Sequence, residues 1–121
     1  MFLVTSNKSK QLLHLSYIGR VEPEELKRGL EDLKTLVAEL PPGFRVLVDF
    51  SRLESMDVAC ATEIGLGMEM ISQGGVGLVV RLIPDAAKDI GLNILTAFHY
   101  ARRPRVVSCE NMAEAARALG L

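Results

Sequence analysis

The stretch "FRVLVDF", residues 44 to 50, places Val46, Leu47 and Val48 side by side with no polar residue between them. Successive side chains of a strand point to opposite faces, so this strand is apolar on both. Such a strand cannot leave one side in water. It belongs in the middle of a sheet, the setting of parallel strands joined by helices.

The preceding residues supply neighbours and cover. "FLVT" and "QLLHLSYIG" read as two strands, with Asn7-Lys8-Ser9-Lys10 as the polar turn of an N-terminal hairpin. Glu22 and Pro23 then open a helix, because proline lacks only an N–H that would have no intrahelical partner in the first turn. Glu24 and Glu25 add negative charge at the positive end of its dipole. Leu26, Leu30, Leu33, Val37 and Leu40 recur at steps of four and three and form one apolar stripe. Pro41-Pro42-Gly43 stops the helix.

After the central strand, a short polar turn ending at Asp57 leads into a second helix over residues 58 to about 73, ended by Gly74-Gly75. "VGLVVRLI" is the next strand, closed by Pro84, and Asp85 caps a third helix running to about Tyr100. "RVVSC" is a short strand. Asn111 and Glu114 have the spacing of a capping box and open a last helix that turns Met112, Ala115, Ala116 and Leu119 inward. The order β-β-α-β-α-β-α-β-α predicts an α/β fold: a single domain over residues 1 to 121, with an about five-stranded mixed sheet, an N-terminal hairpin and four helices.

At 121 residues the chain has the size of one domain with one core. Its 14 basic and 15 acidic residues leave a net charge of −1, which argues against a dedicated nucleic-acid or anionic-lipid binder. No apolar run approaches the about eighteen residues of a membrane span, and no basic segment followed by an apolar run opens the chain, so a cytoplasmic protein is expected. Cys60 and Cys109 have neither metal-ligand spacing nor disulfide density and read as small buried apolar side chains.

The titratable candidates for chemistry are His14, His99, Cys60, Asp49, Asp57, Glu63 and Glu69. Cys60 falls in the first turn of the second helix, where the dipole lowers a thiol pKa, but no spacing brings a histidine to it. His14 and His99 have ordinary structural readings, one on a strand and one at a helix end. Hydrolase, metalloprotease, CxxC and P-loop signatures are missing from the sequence. The expectation is a protein without catalytic chemistry, metal or cofactor.

"VLVDFSRLESMD" combines a strand ending in Asp-x-Ser, a short turn, an apolar residue and Asp, followed by a glycine-containing apolar helix. This pattern resembles the STAS domain, named for sulfate transporters and anti-sigma factor antagonists, and the matching order of elements covers nearly the whole chain. The resemblance implies a βα superhelix with the helices largely on one side of the sheet. It also implies, from the bacterial antagonists, a Ser or Thr directly after the Asp that a partner anti-sigma kinase phosphorylates to block binding. Here that position is Val58, and the next, often a second Ser, is Ala59. An alkyl side chain offers no hydroxyl, so phosphorylation at that position is ruled out. Ser51, Ser55 and Thr62 remain as nearby hydroxyls; Ser55 is placed in the turn, where serines ordinarily bond the local backbone.

The first expectation is therefore a non-enzymatic, protein-binding regulatory module. Its partner surface comprises Ser55, Asp57, Val58, Ala59, Thr62, Leu66 and Met70, with Asp57 capping the second helix. The partner implied by the resemblance is an anti-sigma factor or kinase-like regulator, and a homodimer through Leu66 and Met70 is the other arrangement considered. The alternative is a small-ligand sensor or carrier for an apolar or anionic molecule. Arg102, Arg103 and Arg105 would then form an anion-binding cluster, with "DIGLNILTAF" helping to line a pocket.

Overall fold

The computed structural model describes residues 1–84 and 104–121. The helix expected from Asp85 to about Tyr100, with His99, and the arginines Arg102 and Arg103 lie outside the described residues.

Five strands form one sheet in sequence order: β1 (Phe2–Asn7), β2 (Leu12–Val21), β3 (Arg45–Met56), β4 (Leu78–Leu82) and β5 (Arg105–Cys109). β1 and β2 make the expected antiparallel hairpin, and every later pairing is parallel. Three helices are described: α1 (Pro23–Ala38), α2 (Cys60–Gln73) and α3 (Met112–Leu119). Pro23 occupies the first turn of α1, where the Glu25 carboxylate accepts the Glu22 N–H at 3.4 Å. Asn111 caps α3 by accepting the Glu114 N–H at 2.9 Å, and Gly120 ends it at φ 74°, in the left-handed region that favours glycine.

The core lies on both sides of the sheet. Leu13, Leu15, Val46, Val48, Phe50 and Val79 meet the apolar stripes of α1 and α2. Leu47, Val80, Leu82 and Cys109 point the other way and meet Ala115 and Leu119 of α3. The double covering explains why "FRVLVDF" carries no polar alternation. Two of the three described helices, α1 and α2, share one side of the sheet, and α3 packs on the other. Met112, expected inward, is exposed, because it is the first residue of α3 and projects beyond the strands that Ala115 and Leu119 cover.

The largest departure concerns Ser55. β3 does not end near Phe50 but continues to Met56, pairing Arg20 with Ser55 and Val21 with Met56. Ser55 is therefore an exposed strand residue, and the turn shrinks to Asp57, Val58 and Ala59. The extension is possible because β2 is ten residues long and carries the ladder onward through two register shifts. The first shift lies between the pairs Ser16–Asp49 and Ile18–Arg52, so β3 has one extra residue there. Such a bulge reverses the facing of the residues after it. Leu53 is consequently buried in the core, although strict alternation from Phe50 would face it away.

Candidate functional site

Two exposed regions carry the side chains of interest. The first is the start of α2. Asp57 accepts the Ala59 N–H through Oδ1 at 2.9 Å, and its carbonyl accepts the Cys60 N–H at 2.9 Å. The carboxylate therefore closes a tight turn before the helix. It does not cap the helix itself, whose N-cap position is Ala59 with no side-chain hydrogen bond. Val58, between the two anchored residues, is 69% exposed. Thr62 and Leu66 follow at intervals of four on the same helical face, and Leu66 is 44% exposed. Met70, one turn further, is half-buried against the core and borders an open groove of about 440 Å³ between α1 and α2. The expected patch is thus open at Val58 and closes toward Met70.

The inward face of α2 belongs to the core. Gly67 lets α1 approach so closely that a Cβ there would stand 3.3 Å from the Leu30 and Leu33 Cδ2 atoms. Glu63, 9% exposed, turns inward at a cavity of about 20 Å³ lined chiefly by apolar side chains of α1, α2 and the sheet. Cys60 is fully buried, with its Sγ 3.6 Å from the Val21 carbonyl. Burial, followed by the nearby Asp57 charge, pushes its thiol pKa up. The helix dipole invoked for a reactive Cys60 is outweighed by desolvation. Cys109 is likewise buried, on the opposite face of the sheet, and its pKa is raised first by burial.

The second region lies on the α3 side of β2 and β3. His14 Nε2 stands 3.1 Å from Ser16 Oγ and 3.8 Å from Asp49 Oδ2. Asp49 Oδ1 accepts the Ser51 N–H at 2.8 Å. Burial raises the Asp49 pKa, but hydrogen bonds from His14 and Ser51 outweigh it and bring the carboxyl down to about 2. Ser, His and Asp are the residue types of a hydrolytic triad, yet both partners meet the same imidazole nitrogen. A relay needs one partner on each nitrogen, so this arrangement does not activate Ser16 as a nucleophile. His14 and Asp49 were legible as titratable residues, and strand alternation puts Ser16 on the face of His14; the presence of Asp49 and Arg52 beside them depends on strand register, which no local motif encodes.

Arg105, the remaining member of the expected arginine cluster, is the exposed first residue of β5. Among the described residues no group of three or more His, Cys, Asp or Glu is arranged to hold a metal ion. None of the described helices is long and apolar enough to cross a membrane.

No protein-family model and no curated protein sequence matches the chain. Solved structures do. An anti-sigma factor antagonist, SpoIIAA in its unphosphorylated form, is 12% identical over 100% of both chains with a TM-score of 0.60. The Bacillus cell fate determinant SpoIIAA in its phosphorylated form is 12% identical, covering 98% of this chain and 99% of that one, with a TM-score of 0.61. An uncharacterized protein of the DUF3478 family from Shewanella loihica, described as having a SpoIIAA-like fold, is 14% identical over 98% and 92% of the two chains with a TM-score of 0.67. The chain has the SpoIIAA-like fold of a STAS-like domain. On this SpoIIAA-like frame, Val58 in the turn before α2 and Leu66 on α2 stand on one side of the sheet, while His14, Ser16, Asp49 and Arg52 stand on the other.

Proposed function

We propose that this chain is a non-enzymatic regulatory module of the cytoplasm that binds another protein through Asp57, Val58, Ala59, Thr62 and Leu66. Ser55 and Met70 lie at the two ends of that surface. The observation that supports it most is the exposure of Val58 at a turn fixed on both sides by hydrogen bonds. Full burial of such a side chain contributes roughly 1.5–3 kcal/mol, which this conformation leaves unused and a partner can recover. One exposed apolar residue is ordinary, but Val58 and Leu66 share a face with only Thr62 between them.

The partner class comes from the fold. SpoIIAA is an anti-sigma factor antagonist found in phosphorylated and unphosphorylated forms, which suggests an anti-sigma factor or a kinase-like regulator as the partner here. The isopropyl group of Val58 accepts no phosphate, so binding through this turn is constitutive with respect to that position.

The test compares the wild-type chain with Val58→Glu and Leu66→Glu as baits in extract from cells that produce it. A carboxylate near a helix N-terminus is favourable by roughly 0.3–1 kcal/mol, so Val58→Glu stays folded. A protein retained by wild type and lost from both variants, at unchanged melting temperature, is the expected result. A partner held equally by all three overturns the docking surface. Sedimentation of the purified chain separates a second copy from a different protein as the occupant.

A further inference from the structure

α3 is eight residues long, hence about 12 Å, enough to lie over two or three strands spaced about 4.8 Å apart. Its buried residues meet Leu47, Val80, Leu82 and Cys109 on β3, β4 and β5. The same face of β2 and of the later part of β3 is left without a helix among the described residues. Here the side chains become polar, and a groove of about 220 Å³ opens between His14, Ser16, Ile18, Asp49, Arg52 and Met112.

Two features set this groove apart from an ordinary solvated sheet face. The first is the bulge. Strict alternation from Phe50 would place Arg52 in the apolar core, but the register shift turns it into the groove and gives Leu53 the core position instead. Bulges re-aim side chains in this way, and they concentrate beside functional sites. The second is the state of the charges. Asp49, 13% exposed, is already engaged at both oxygens by His14 and Ser51, whereas Arg52 makes no ion pair among the described residues. The groove therefore holds a satisfied anion, an imidazole oriented by it, a hydroxyl, and a guanidinium without a counter-charge among the described residues.

We propose that this groove binds a small organic monocarboxylate, with Arg52 taking the carboxylate, His14 and Ser16 beside it, and Ile18 and Met112 against its apolar part. A guanidinium matches a carboxylate by two parallel N–H···O bonds. One negative charge on the ligand matches the single positive charge of Arg52; a dianion would leave an excess charge next to the Asp49 carboxylate. The groove is smaller than the about 300–1,000 Å³ of drug-sized pockets, which limits the ligand to a few carbons or one ring. This site is independent of the α2 docking surface.

The test is a titration of the full chain with sodium propionate and sodium benzoate, followed by backbone amide NMR, with inorganic phosphate and benzylamine as comparisons. The expected result is saturable shifts at Ser16, Ile18, Asp49 and Arg52 with at least one carboxylate, and an affinity roughly tenfold weaker in Arg52→Gln. Arg52 is exposed and makes no ion pair among the described residues, so that variant keeps the wild-type melting temperature. Val58→Glu leaves carboxylate binding unchanged. The proposal is overturned by the absence of saturable shifts with both carboxylates, by equal affinity in Arg52→Gln, or by phosphate or benzylamine binding as tightly as the carboxylates.

Discussion

The Asp57 carboxylate holds the Ala59 N–H at 2.9 Å, two residues ahead of itself, and so locks Val58 between two fixed points. The bond is local, and it decides which side chain faces solvent at the start of α2. Asp57→Ala removes the acceptor and is expected to cost about 0.5–1.5 kcal/mol, the usual net worth of one such hydrogen bond. Asp57→Asn retains an acceptor oxygen and should recover most of the loss. Urea denaturation of the three proteins checks this order; equal midpoints would mean that the turn is held by its backbone alone.

The glycines of α1 and α2 separate propensity from packing. Gly65 has no atom within 4 Å of the position a Cβ would take, so Gly65→Ala should stabilise by about 0.5–1 kcal/mol through the unfolded chain. At Gly67 the same gain is offset by the Leu30 and Leu33 methyl groups that must move, and the net change should lie near zero. At Gly29 a Cβ would overlap the Phe2 ring, which has to leave its place on α1. Overpacking of that kind costs about 1–3 kcal/mol and outweighs the helical gain. The predicted stability order is Gly65→Ala, then Gly67→Ala close to wild type, then Gly29→Ala, read from denaturation midpoints.

Much of this fold was legible because its signals are local or periodic. The Leu26 to Val37 stripe, Pro23 in the first turn of α1, the Asn111 cap and the unalternating Val46-Leu47-Val48 each report one element's environment without reference to the others. The end of β3 was not legible. Residues 51 to 56 are mostly polar and read as a turn, and only the length of β2 and its bulged pairing make them a strand. The same bulge hid Arg52, since alternation carries no record of an extra residue. At the α2 turn, the exposure of Val58 followed from its place beside Asp57, whereas the half-burial of Met70 depends on how closely α1 approaches at Gly67.

Asp49 gives the pH dependence its sign. Its folded pKa, about 2, lies below the ordinary 3.8, because the hydrogen bonds from His14 and Ser51 outweigh the burial that opposes them. The native state therefore holds its proton less tightly than the unfolded chain does. The stabilisation is fully present above about pH 4 and is lost as pH falls through the folded value near 2. Its size is on the order of 2 kcal/mol. Asp49→Asn cannot titrate, so it should be less stable than wild type at neutral pH by about that amount, and the difference should shrink between about pH 4 and pH 2. Other carboxylates titrate in both proteins and largely cancel in the difference, which makes the paired measurement more informative than either acid curve alone. Chemical denaturation at several pH values supplies it. A difference that stays constant down to about pH 2 would mean that the His14 and Ser51 bonds do not favour the ionised carboxylate, and with it would go the satisfied anion that orients His14 in the groove.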